Sequence, residues 1–317
     1  MKNNPTRRDF VKKTALAAGA LPFLSAGLPV FGMKNKDMPL PKIHIFSKHL
    51  QFLDYDQMAE MAAELGFDGV ELTVRPKGHV LPERVEEDLP KAIAALKKHK
   101  LPPQLFCTGV EGVGALDTKV LQTAAKQGLK YYRMDYFDFD KNKTMAESMA
   151  IHRETMKELG QLNKKLGLIG CYQNHAGLRV GASPWEIYQL LEDADPAHTG
   201  SQYDIRHSTV EGGLSWKNGL RLLQPHIKTI VFKDFKWTEK NGKWEAENTP
   251  LGEGMVDFKT YIGLLKNYQL QVPASMHFEY PLGGAEHGDK TLKVEQKVVF
   301  DAMRRDLNWL KEMWREA

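Results

Sequence analysis

The sequence predicts an α/β protein built as a single (β/α)8 barrel, on three observations. Short runs rich in β-branched and aromatic residues alternate with amphipathic stretches from residue 43 to the C-terminus, the pattern of βαβ units around a parallel sheet. Eight such repeats can be read along the chain, which is the barrel number. The 317 residues are 42% hydrophobic and 26% charged, enough for one large core, and no low-complexity or Pro/Gly-rich tract divides the repeats.

The first strand is expected over 43–47 and its helix over 55–65, where Met58, Met61, Ala62 and Leu65 recur at helical spacing and Gly66 stops the helix. A second strand over 70–74 is followed by a helix over 89–99, with Leu89, Ile93 and Leu96 on one face. The third pair is expected at 105–108 and 120–128, the fourth at 131–136 and 145–166, and the fifth at 168–172 and 184–191. The sixth falls at 202–205 and 216–223, the seventh at 227–232 and 258–268, and the eighth at 275–278 and 293–314. Residues 236–254 interrupt the seventh unit, and Lys240-Asn241-Gly242-Lys243 has the composition of a hairpin turn. Loops that follow barrel strands open on the catalytic face, so this insertion is expected to form a wall or lid of the site.

The N-terminus reads differently. Thr6-Arg7-Arg8-Asp9-Phe10-Val11-Lys12 precedes a weakly hydrophobic run from Thr14 to Gly32, a basic region followed by an apolar one. The arginine pair with Phe10 and Lys12 resembles the twin-arginine signal that addresses folded proteins for export. Pro22, Pro29, Gly19 and Gly27 argue against a helix belonging to the fold, and the run is marginal for the roughly 20 residues of a membrane span. The expected organisation is a signal peptide over 1–32, a linker over 33–41 and a barrel over 42–317, giving a periplasmic or otherwise exported protein with no span after removal of the signal.

That leader carries the whole formal charge of +4, and the rest of the chain balances acids against bases. Nucleic-acid binding therefore has no compositional support. Cys107 and Cys171 fall in predicted strands that are not neighbours, which places them as buried thiols rather than a disulfide.

Polar residues at the C-terminal ends of barrel strands face the shared mouth. The candidates are Glu71, Arg75 and His79 on strand two and its loop, Arg133 and Asp135 on strand four, and Gln173-Asn174-His175 on strand five. Strand six adds Asp204, Arg206 and His207, strand seven Lys233 and Asp234, and strand eight Glu279. Gln173, Asp204 and Glu279 could converge on a hard divalent cation such as Mn, Mg, Co or Zn. Each also has a structural alternative: Asp204 could cap the following helix, Gln173 could bond a loop, and Glu279 could pair with Arg206. Strand alternation points Lys233 to the same interior side as Val231, where it could polarise a carbonyl or form an ion pair with Asp204 or Glu279. His79, His175, Arg206 and Glu71 are candidates for holding substrate, and His207 for proton transfer. Trp216, Trp237, Trp244, Tyr172 and Tyr280 would suit the apolar face of a sugar ring or ordinary packing. No Gly-rich phosphate loop is evident.

Over nearly the whole chain beyond the leader, the sequence resembles the xylose-isomerase-like sugar phosphate isomerase/epimerase barrels, a TIM-barrel family. The residues that carry the resemblance are Gly66-Phe67-Asp68-Gly69-Val70-Glu71-Leu72, Tyr172-Gln173-Asn174-His175, Tyr203-Asp204 with His207, Phe232-Lys233-Asp234 and Phe278-Glu279. The resemblance implies an enzyme acting on a small carbohydrate by proton transfer next to a carbonyl, assisted by a divalent metal. In the family, the strand-five metal ligand is usually Glu and a histidine stands two residues before the strand-seven lysine; here those positions are Gln173 and Val231. With Gln173 unable to act as base, Glu279, Lys233 and His207 become the expected catalytic residues. Lyase or hydratase chemistry on a 3-keto-glycoside and a non-catalytic carbohydrate-binding barrel remain as alternatives, and homo-oligomerisation is left open.

Overall fold

The computed structural model describes residues 38–317. The expectations for the signal peptide, and for 33–37 of the linker, lie outside those residues. At the described end of the linker, Pro41 is buried and the indole N–H of Trp314 donates to the Met38 carbonyl at 3.1 Å, so residues 38–41 pack on the barrel.

Eight parallel strands close the barrel: β1 (Ile43–Phe46), β2 (Gly69–Val74), β3 (Leu105–Thr108), β4 (Tyr131–Arg133), β5 (Ile169–Gln173), β6 (Thr199–Asp204), β7 (Ile227–Phe232) and β10 (Ala274–Met276), with β10 returning to β1. The helices around it are α1 (Tyr55–Leu65), α2 (Val85–Lys98), α3 (Ala115–Lys126), α4 (Met145–Leu166), α5 (Pro184–Leu191), α6 (Ile205–Gly212), α7 (Trp216–Leu223), α8 (Phe258–Asn267) and α9 (Gln296–Glu316). Every residue of β2, β3 and β6 is buried, because helices cover one face of a barrel strand and the interior covers the other.

Local chemistry sets the helix ends. Asp54 and Gln57 form a reciprocal capping box at the start of α1, Thr144 and Glu147 do the same for α4, and Gly66 and Gly167 end these helices in the left-handed conformation. Cys107 and Cys171 are buried free thiols, as expected. Two elements depart from expectation. The fourth strand stops at Arg133, after which the chain turns over the mouth, and a short helix, α6, follows β6 directly because the Asp204 side chain caps it by accepting from the His207 amide at 3.1 Å.

The insertion after β7 is an antiparallel hairpin of β8 (Asp234–Lys240) and β9 (Lys243–Thr249). Asn241 and Gly242 at its tip have φ of 53° and 75°, the paired left-handed residues of a turn that matches strand twist. Its root is fixed by the Asp234 carboxylate, which accepts from the backbone N–H groups of Phe235, Gly252, Gly254 and Val256 at 2.8–3.1 Å. A Cβ on Gly254 would lie 2.2 Å from Asp234 Oδ1, so only glycine fits there. Among the described residues, no helix is long and apolar enough to cross a membrane.

Candidate functional site

Lys233, the first residue after β7, lies at the centre of the polar groups on the mouth face. Its Nζ is 3.1 Å from Asp204 Oδ2, 3.3 Å from Glu279 Oε2 and 2.7 Å from His207 Nε2. The two carboxylates differ in access: Asp204 is fully enclosed, whereas the Glu279 side chain is 23% exposed. Burial alone would raise the Glu279 pKa, but the charges of Lys233 and Lys48 outweigh it and hold the carboxyl well below its usual range. Lys48 Nζ stands 3.5 Å from Glu279 Oε1, and burial lowers its pKa.

Asp204 is held from three sides. Its amide donates to Asn174 Oδ1 at 2.7 Å, while Asn174 Nδ2 reaches the Asp204 carbonyl and Ser208 Oγ. Gln173 Nε2 donates to Asp204 Oδ2 at 2.8 Å, and Gln173 Oε1 accepts from Arg133 Nη1 at 2.9 Å and Tyr136 OH at 2.5 Å. Because a guanidinium only donates, the Gln173 oxygen must face Arg133 and its NH2 must face Asp204.

The histidines divide. His175 is half-buried, its ring centroid 4.0 Å from that of His207 and 5.0 Å from that of Tyr136. Its Nδ1 donates to the Ala176 carbonyl at 2.9 Å, which leaves Nε2 as an acceptor, and burial together with Lys233 pushes its pKa down to about 4. His207, expected to move protons, instead lies buried with donor-only cations against both nitrogens: Lys233 at Nε2 and Arg206 Nη1 3.1 Å from Nδ1. Burial, then Lys233, holds the ring in its neutral form, which carries one N–H and can accept from only one of the two cations.

Three expected substrate contacts also sit elsewhere. Glu71 is enclosed in the barrel, where Gln202 Nε2, Ser275 Oγ and His277 Nε2 occupy both its carboxylate oxygens at 2.5–3.1 Å. Burial opposes its ionisation, and the His277, Ser275 and Gln202 hydrogen bonds overcome this to hold its pKa at about 2. His79 lines a separate cavity of about 400 Å³ with Phe52, Tyr55 and Lys290. Arg206 lies over the Phe235 ring and donates from Nη2 to the Ala246 carbonyl of the hairpin at 3.0 Å, rather than pairing with Glu279. Of the aromatic candidates, Tyr172, Tyr280 and Trp216 are buried packing residues, and Trp237 and Trp244 are exposed on the hairpin.

A match to the family described as xylose isomerase-like TIM barrel spans residues 59–313. The chain belongs to that family. Xylose isomerase-like barrels of known structure share the fold at low identity. The 3-keto-D-glucoside 4-epimerase of E. coli is 15% identical, with 86% of this chain and 100% of that chain covered and a TM-score of 0.63. The D-psicose 3-epimerase of Clostridium cellulolyticum H10, determined with D-tagatose, is 12% identical, with 86% and 99% covered and a TM-score of 0.66. A xylose isomerase-like protein of Mycobacterium smegmatis, in complex with magnesium, is 12% identical, with 86% and 97% covered and a TM-score of 0.61. No curated protein sequence matches the chain.

The expected metal set of Gln173, Asp204 and Glu279 does not fit a divalent cation. Such ions need several free oxygen or nitrogen donors converging at about 2.0–2.6 Å. Here Gln173 turns its NH2 inward, Asp204 Oδ2 is already taken by Gln173 and Lys233, and Val231, beside Asp204 in register, offers no donor. Among the described residues, no group of three or more His, Cys, Asp or Glu side chains is arranged to hold a metal ion.

Proposed function

We propose that this chain is an exported sugar isomerase or epimerase that transfers a proton at a carbon beside the carbonyl of a small carbohydrate. One observation carries the reading: Lys233 is fixed between an enclosed carboxylate, Asp204, and an accessible one, Glu279, with the acceptor nitrogen of neutral His175 nearby. A substrate carbonyl oxygen beside Lys233 is polarised by the ammonium. Glu279 takes the proton from the adjacent carbon; the C–H electron pair becomes the new C=C bond, and the carbonyl π pair moves onto oxygen next to Lys233. Returning that proton to the neighbouring carbon, whose hydroxyl proton passes to the first oxygen as the new carbonyl forms, isomerises the sugar; reprotonation of the original carbon by a water proton on the opposite face, with Glu279 releasing its own proton to solvent, epimerises it. His175 Nε2 accepts a substrate hydroxyl. The epimerase neighbours, one acting on a 3-keto-D-glucoside and one determined with D-tagatose, support a ketone-bearing sugar.

A second reading, elimination or hydration at a 3-keto-glycoside, is favoured by Lys48, a second ammonium beside Glu279 that can donate a proton to a departing oxygen. Incubation with a 3-keto-glucoside and with D-tagatose in D2O separates the two. Deuterium entering the carbon beside the carbonyl with the carbon skeleton retained marks isomerisation or epimerisation, and release of the departing group marks elimination. Neither outcome in the wild-type chain would overturn both.

A further inference from the structure

We propose that the Lys233 ammonium takes the place of a divalent cation in this barrel, so that the site works without metal. The charge balance is that of a cation site: two carboxylates from β6 and the β10 loop face one atom at 3.1 and 3.3 Å, and a histidine nitrogen faces it at 2.7 Å. That atom is Nζ of Lys233, the residue that follows β7, so the cation arrives covalently attached. The surroundings are built to keep it there. Gln173 presents N–H rather than oxygen toward Asp204, locked by Arg133 and Tyr136, and a second cation at the centre would meet the donor-bearing ends of Gln173 and Lys233 instead of lone pairs. Val231, in register with Asp204, leaves a methyl surface where a further nitrogen would be needed. With Gln173 uncharged, the two carboxylates that remain are both paired, Asp204 with Lys233 and Glu279 with Lys233 and Lys48.

The consequence rests on the proton-transfer reading above. The Lys233 ammonium has three N–H groups, and Asp204 and Glu279 already hold two of them, so at most one is open to a substrate; the substrate is a sugar that already carries a ketone, engaged through that single oxygen.

The test is a titration of Mn2+ into chelator-treated wild-type protein, followed calorimetrically, alongside the variant Gln173→Glu/Val231→His/Lys233→Met, which restores oxygen and imidazole donors. Wild type is expected to bind no stoichiometric Mn2+ up to about 1 mM, and the variant to bind one ion per chain. Deuterium exchange into a 3-keto-glucoside is expected to change by less than about twofold when EDTA is added. One Mn2+ per wild-type chain, lost in Asp204→Ala, would overturn the proposal, as would a tenfold or larger loss of exchange in EDTA that Mn2+ restores. The wild-type measurements do not depend on the variant folding. If wild type binds no metal and exchanges no substrate proton, the proton-transfer reading fails while the metal-free site stands.

Discussion

Asp204 and Lys233 meet at 3.1 Å with neither side chain open to solvent beyond 4%. Their pairing joins the end of β6 to the end of β7, and the same carboxylate caps α6, so one residue serves both the site and the fold. Removing Lys233 leaves the enclosed Asp204 carboxylate without its counterion, and such losses cost about 3–5 kcal/mol.

Lys233→Met is therefore expected to lower stability by that amount in urea unfolding and to slow proton exchange by about two orders of magnitude or more. Lys233→Arg keeps the charge but not the shape, and should recover much of the stability without recovering the rate. Full activity in Lys233→Met would remove the ammonium from the mechanism.

Glu279→Gln is isosteric and sits where water already reaches, so its thermal midpoint should stay within a few degrees of wild type. Its exchange rate should fall by about 10²–10⁴-fold, the usual contribution of a general base. An equal loss of stability would mark Glu279 as structural.

His175 is neutral with a pKa of about 4, so proton exchange should hold steady above that value and fall as pH drops through it, when Nε2 loses its lone pair and a positive charge forms beside Lys233. The folded pKa lies below the unfolded one, about 6.5, so the unfolded chain binds more protons between these values and folding is weakened as pH falls through that window. His175→Gln should flatten this part of the stability profile.

Glu71 acts in the same direction at lower pH. Its folded pKa of about 2 lies below the unfolded value of 4.5, so its contribution is complete above 4.5 and disappears as pH falls toward 2. The difference corresponds to about 3 kcal/mol, and Glu71→Gln should remove that acid-side slope in melts recorded across this range.

Asp234→Ala should free the root of the hairpin, because four backbone N–H groups lose their common acceptor at once. Hydrogen exchange is expected to rise at Gly252, Gly254 and Val256 while the barrel strands stay protected.

The barrel itself was legible because short β-branched and aromatic runs alternate with amphipathic stretches, and the hairpin because Asn-Gly suits the tight turn between paired strands. Lys233, Asp204 and Glu279 could be found as polar residues ending successive strands. Lys48, Tyr136 and His277 were missed, although the same signal was present. Lys48 lies two residues beyond the first strand, whose polar end was passed over; Tyr136 follows Arg133 by three residues; His277 precedes Glu279 by two. The partners of Lys48 and His277 lie 231 and 206 residues away in sequence, and closure of β10 against β1 brings them together, whereas Tyr136 meets Gln173 across the adjacent β4 and β5. The short α6 was hidden because Arg206, His207 and Ser208 give it no apolar stripe, its start being fixed by the Asp204 cap instead.

Lys233 and Asp234 are adjacent in the chain yet serve separate structures, one the buried polar cluster with Asp204 and Glu279 and the other the hairpin root. The tip at Asn241 and Gly242 is far along the strands from that root, so residues there can be lengthened, shortened or exchanged while the anchor stays in place. Sequence change confined to residues 238–245 is thus separated from both the anchor at Asp234 and the lysine before it.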